Sequence, residues 1–322
     1  MRNALHSIAR AALLCIALAP GAQAADMPRA EERELRADDA TLYVRAIGHG
    51  EPIVVLHGGP DFDQAYLAPD LDPLADAYRL IYYDQRGRGR STAGVDPQRV
   101  SLATDLGDID RIRREFDLDA PVLLGHSWGA VLALEYALRH PQRVSRLILV
   151  NPAPVSHADL ASVRAHYLAR LGPRMDEQTA IVESAAYRAG DPDAVAARYR
   201  IHFEPAVAKP DDLARMTRRM QDGFERQGRE GILTARAVED RLMADTWERP
   251  DYDLLPALER LRTPALVIAG RHDFMADAAV HIADAMPHAR LVMIGDCGHF
   301  AFLECAAAAR AALDRFMARP RP

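Results

Sequence analysis

Pro121-Val-Leu-Leu-Gly-His-Ser-Trp-Gly-Ala130 carries the pattern from which the architecture of the chain follows. A short apolar run, Val122 to Leu124, stops at Gly125-His126-Ser127-Trp128-Gly129. A helix-favouring segment from Ala130 to His140 follows and ends before Pro141. Buried strand, sharp turn and helix form the setting in which a G-x-S-x-G pattern carries chemistry. The turn forces the serine into a strained backbone conformation and lifts its hydroxyl above the sheet. Gly125 and Gly129 are expected where a Cβ would strike the neighbouring strand or helix. The Trp128 amide is expected to face an oxyanion forming at Ser127 from the start of the new helix.

Further strands surround this one. Pro52 to His57 and Tyr78 to Tyr83 are continuous apolar runs, as strands buried on both faces require. Val144 to Val150 reads the same way, and strand patterns return at Ala265 to Ala269 and at Arg290 to Ile294. Glu31 to Ile47 alternates around Ala37-Asp38-Asp39 and predicts two antiparallel edge strands. Ser101 to Phe116 has apolar residues at helical spacing, and Phe300 to Met317 predicts a terminal helix before a frayed Arg319-Pro-Arg-Pro322 tail. Strands alternating with helices make an α/β fold with a mostly parallel sheet, binding ligands beyond the strands' carboxyl ends. Between Asn151 and Arg262 the character changes. That segment is rich in Ala, Arg, Asp and Glu, with helix starts such as Gly190-Asp-Pro-Asp193, and predicts an α-helical insertion. The expected division is a core of residues 25–151 and 263–322 and a helical cap of 152–262.

A serine hydroxyl needs a base, and the base needs an orienting group. The strand at Ala265 ends in Gly270-Arg-His-Asp273, and the strand at Arg290 ends in Gly295-Asp-Cys-Gly-His299. The chain order Ser, Asp, His and these strand-end positions single out Ser127, Asp273 and His299. Asp273 would accept from the His299 Nδ1–H, leaving Nε2 to take the serine proton. With 12 histidines in the chain, any one is first a surface or capping residue. Order, strand-end position and flanking glycines overturn that reading for His299. Asp277, Asp284 and Asp296 read as surface acids, and His126 and His272 as packing or hydrogen-bonding partners. The loop His57-Gly58-Gly59-Pro60 follows the first central strand and supplies the second oxyanion donor, Gly59 N–H first and Gly58 next.

Composition narrows the partners. The formal net charge is −6, and arginines lie scattered among acids, so no basic surface argues for nucleic acid. Neither H-E-x-x-H nor C-x-x-C occurs, and no metal or other cofactor is expected. The N-terminus has Arg2 and Arg10, an apolar run from Ala11 to Ala19, and Pro20-Gly-Ala-Gln-Ala24. A charged region, a short hydrophobic region and a small-x-small site make a secretory signal, 1–24, with cleavage after Ala24. The run is too short to anchor in a bilayer, so a periplasmic or secreted protein is expected. Of three cysteines, Cys297 and Cys305 would survive processing, either bonded to each other or as two free thiols.

Taken together, His57-Gly-Gly-Pro60, Asp84-Gln-Arg-Gly-Arg-Gly-Arg-Ser91, Gly125-His-Ser-Trp-Gly129, Gly270-Arg-His-Asp273 and Cys297-Gly-His299 resemble the α/β-hydrolase superfamily. Within it the resemblance is to proline iminopeptidase-like serine peptidases. It covers roughly Ile47 to Asn151 and Pro264 to Phe316. It implies the α/β-hydrolase fold with a helical cap, Ser127 as nucleophile with Asp273 and His299, and Gly59 and Trp128 as oxyanion donors. It implies a structural role for the Asp84-to-Ser91 loop. It also implies release of N-terminal residues from short peptides or amides through an acyl-enzyme. A carboxylesterase or lactonase with the same three residues is the alternative, and a non-catalytic binding protein on this scaffold a further one. Two departures stand out: Asp61 follows Pro60 where the family usually has glycine, and His126 precedes the serine in place of a small residue. The insertion also lacks the tryptophan–glutamate pattern of proline-specific members. Members that cleave N-terminal residues hold the substrate ammonium with cap glutamates; Glu204 and Glu239 are the candidates, each otherwise a solvated helix acid.

Overall fold

The computed structural model describes residues 28–319, so the expected signal segment, 1–24, and the last residues of the tail lie outside the described residues. Eight strands form one sheet: β1 (Glu31–Ala37), β2 (Ala40–Ile47), β3 (Glu51–Leu56), β4 (Tyr78–Tyr83), β5 (Val122–His126), β6 (Arg146–Val150), β7 (Ala265–Gly270) and β8 (Ala289–Ile294). Their order is β1-β2-β4-β3-β5-β6-β7-β8. The first two form an antiparallel hairpin, turning through Asp38 at φ 55, a conformation a short polar side chain tolerates. From β3 onward every pairing is parallel, and β2 joins β4 antiparallel. The strand order reverses between β3 and β5, and the loops leaving those two strands diverge there to open a crevice.

Both faces of the sheet are covered. On β3, Val54 and Leu56 join one apolar cluster while Ile53 and Val55 join the other. A two-faced burial of this kind explains why the sequence shows unbroken apolar runs and not alternation. Helices α1 (Leu102–Glu115) and α2 (Trp128–Arg139) pack in the first cluster. Ser101 and Thr104 cap α1 reciprocally, each side chain accepting from the other's backbone amide.

The insertion is helical, as expected, with α3 (His157–Leu171), α4 (Arg174–Glu183), α5 (Pro192–Phe203) and α6 (Pro210–Asp245). Asp191 caps α5, and α6 changes direction at Gly228, where φ is 69. Tyr199 and Phe203 of α5 and Phe224 of α6 pack around Phe62, which fastens the insertion over the crevice. Helices α7 (Ala276–Ala285) and α8 (Ala306–Met317) complete the fold. No helix among the described residues is long and apolar enough to cross a membrane.

Some boundaries differ from expectation. Strand β5 runs on to His126 and α2 already begins at Trp128, so a single residue makes the turn. The expected terminal helix is a short helical turn, Ala301–Glu304, followed by α8 after a non-helical Cys305 at φ −139 and ψ 41. Glu304 turns back there to accept from the amides of Ala208, Gly298 and Phe300, and the chain restarts beyond it. Cys297 and Cys305 are both free thiols, the first buried.

Candidate active site

Ser127 occupies the turn between β5 and α2 with φ 53 and ψ −117, a left-handed conformation for a residue bearing a Cβ. The surrounding backbone holds it there. Its N–H donates to the Val150 carbonyl, and its own carbonyl accepts from Ala130 and Ala153. The flanking glycines are required by space. A Cβ on Gly125 would lie 2.3 Å from the Gly129 carbonyl oxygen, and one on Gly129 would lie 2.1 Å from that of Leu56. Because α2 starts at Trp128, that residue's amide is among the first-turn donors without an intrahelical acceptor.

Asp273 follows the end of β7, and its Oδ2 accepts from His299 Nδ1 at 2.8 Å with both side chains buried. Burial pushes the Asp273 carboxyl up. The His299 ring, the Met275 amide and the Asn151 side-chain amide outweigh burial and hold it below its ordinary value. In the sequence Asn151 reads only as a boundary. It follows β6 directly, donates 3.0 Å to Asp273 and 2.9 Å to the Gly298 carbonyl, and thereby ties the acid to the histidine loop. A polar residue at the carboxyl end of a buried strand is the signal that marks it. Asp277, Asp284 and Asp296 are exposed, as expected.

A second hydrogen-bond chain joins the two loops flanking Ser127. The Gly58 amide donates 2.8 Å to Tyr66 Oη, whose hydroxyl lies 2.7 Å from His126 Nδ1. The other His126 nitrogen, Nε2, lies 2.8 Å from the His299 carbonyl, which can only accept. His126 therefore donates from Nε2 and accepts at Nδ1 from the tyrosine. Burial, with the His299 ring next, lowers its pKa to about 3 and keeps it neutral in this role. His126 is the hydrogen-bonding partner it was expected to be; His272, expected alike, is exposed. Gly58, the second choice for an amide facing the substrate's oxyanion, needs correction, because its amide is already bound to Tyr66.

Ser127, His299 and Gly59 line one cavity beneath the insertion. Gly59 has φ 127, and a Cβ there would lie 2.3 Å from the Asp61 nitrogen. The Asp84-to-Ser91 loop stands aside from this cavity and is cross-braced. Arg88 pairs with Asp105 with neither side chain exposed, and Arg86 pairs with Asp108 at 2.7 Å. Asp84 accepts from the Gln64 and Arg90 amides.

The cap side of the cavity carries charge that the sequence only hinted at. Glu239 of α6 lines it, half-buried; burial, then the nearby Asp61, push its pKa up to about 8 against the pull of Arg198. It is not the solvated helix acid it resembled. Glu204 is one: it lies on the surface, paired with Arg174, and leaves the substrate-binding candidates. Asp61, the residue replacing the usual glycine, is buried and accepts from Tyr199 Oη at 2.5 Å, while its Oδ1 has no partner. Arg198 and His202 of α5 also line the cavity and were not singled out in the sequence. His202 is held neutral by burial, with Arg198 and His299 adding to the effect.

Residues 51–306 match the family model described as the alpha/beta hydrolase fold. The proline iminopeptidase of Levilactobacillus brevis is 30% identical over 286 residues, spanning 86% of this chain and 92% of that protein. A solved proline iminopeptidase-related protein from Thermus thermophilus has a TM-score of 0.67 at 24% identity and covers 90% of this chain and 98% of its own. A solved N-acyl homoserine lactone degrading enzyme has a TM-score of 0.65 at 24% identity and covers 88% of this chain and 100% of its own.

Proposed function

Because the chain belongs to the α/β hydrolase fold family and is a proline iminopeptidase-like hydrolase, we propose that it is an exported serine peptidase releasing N-terminal residues from short peptides or amides. The observation that carries the mechanism is the buried Asp273–His299 hydrogen bond beside Ser127 in one cavity. Ser127 Oγ attacks the carbonyl carbon while His299 Nε2 removes the hydroxyl proton. Asp273 fixes the ring so that Nε2 faces the serine, and stabilises the imidazolium that forms. The anionic oxygen lies between the Gly59 and Trp128 amides, and loss of one such donor typically costs about 10²–10³ in rate. His299 then passes its proton to the leaving amine as the C–N bond breaks. Water, deprotonated by the same ring, then bonds to the acyl carbon; the ester bond to Ser127 Oγ breaks, and His299 returns the proton to Oγ.

Glu239 supports the peptidase reading over the esterase or lactonase one. It is a carboxyl facing the cavity, and an approaching ammonium favours its ionised form. Export rests on the N-terminal segment alone.

The test is fluorophosphonate labelling of the purified protein together with two substrates, an aminoacyl arylamide and a short-chain aryl ester. Wild type should label at Ser127 and cleave the arylamide, and Ser127→Ala should do neither. Turnover by Ser127→Ala at the wild-type rate would refute the nucleophile. Ester cleavage without arylamide cleavage would reject the peptidase in favour of an esterase.

A further inference from the structure

Arg198 stands on α5 with its side chain lining the cavity that holds Ser127 and His299. The buried arginines elsewhere in the fold each meet a carboxylate: Arg86 has Asp108, Arg88 has Asp105 and Arg146 has Glu51. Arg198 differs. Among the described residues no hydrogen bond or ion pair engages its guanidinium, which lies 4.4 Å from the centre of the Tyr199 ring. Asp61 and Glu239 act on it only through space, with the two tyrosines Tyr199 and Tyr187. Asp61 is turned instead to the Tyr199 hydroxyl.

A guanidinium stays charged at any working pH and presents a planar fork of donors matched to a carboxylate. Arg198 is half-buried, and holding even part of such a charge away from water without a bonded partner is costly. A pocket that keeps one open beside the reacting serine is built to receive an anion. The acyl half of a peptide substrate lies in this same cavity, with its ammonium toward Glu239. A carboxylate within reach of Arg198 must then sit on the side chain of that first residue. Such a residue brings an ammonium toward Glu239, whose ionised form it favours, and a carboxylate toward the guanidinium of Arg198.

We propose that Arg198 determines specificity by pairing with the side-chain carboxylate of an N-terminal aspartate or glutamate. This rests on the peptidase reading of the same site and adds to it the class of residue removed.

The experiment compares kcat/KM for the p-nitroanilides of glutamate and glutamine, which differ in charge and hardly in shape. Wild type should favour glutamate at least ~10-fold, the worth of one charge-assisted contact. Arg198→Met should bring the ratio to about one, since only the charged side chain loses its partner. A wild-type ratio at or below one, or a ratio that Arg198→Met leaves intact, overturns the proposal while the peptidase reading stands. Cleavage of aryl esters but of neither anilide removes both. If Arg198→Met does not fold, product inhibition of the wild type asks the same question. Free glutamate should then inhibit at lower concentration than free glutamine, and equal inhibition would overturn the assignment.

Discussion

Glu239 and Glu204 are the same residue type on the same insertion, yet one faces the cavity and the other pairs with Arg174 at the surface. The surroundings of Glu239 set its pH behaviour. Burial first, and Asp61 second, push the Glu239 carboxyl up to about 8 from an ordinary 4.5, despite Arg198 and Arg236. The folded protein therefore holds a proton there that the unfolded chain releases near pH 4.5. The stabilisation linked to that proton is full below the unfolded value and is lost as pH rises through about 8. Glu239→Gln cannot lose a proton. Its Tm relative to wild type should rise steadily between about pH 5 and pH 8 in calorimetric scans. A difference that stays constant across that interval would mean Glu239 is solvated after all.

At the scale of the element, the turn between β5 and α2 depends on backbone packed too closely for a side chain. A Cβ on Gly129 would lie 2.1 Å from the Leu56 carbonyl oxygen and 2.7 Å from that of His57, and backbone cannot swing aside as a flexible side chain can. Gly129→Ala should cost about 1–3 kcal/mol or more by urea denaturation, since it forces strand β3 away from α2. Gly107, in the middle of α1, is the contrast, with open space where its Cβ would be. Gly107→Ala should stabilise by about 0.5–1 kcal/mol through helix propensity alone. Equal effects at the two sites would show that the elbow is not sterically tight. The motif spacing foretold this crowding at Gly125 and Gly129. It did not foretell that β5 would run to His126, because a histidine there is buried only through Tyr66 and the His299 carbonyl.

For the molecule as a whole, export makes a direct prediction. Protein recovered from the periplasm or medium should have lost residues 1–24 and begin at Ala25, as intact mass spectrometry would read; a mass of 35.5 kDa for the whole chain would count against it. Local pattern and order along the chain determined much of this protein. The buried strands, the helical insertion, and the positions of Ser127, Asp273 and His299 at strand ends could all be read there, because strand burial, turn chemistry and chain order are local or ordinal properties. Tertiary structure alone decided which polar side chains meet across long separations. It brought Asn151 to Asp273, Tyr66 to His126, and Asp61 to Tyr199. It also chose Glu239 over Glu204 for the cavity and left Arg198 open beside the serine. The reason is physical: a helix residue's burial depends on the orientation of its helix over the sheet. The sequence of an amphipathic insertion gives its period but not the direction in which each face finally points.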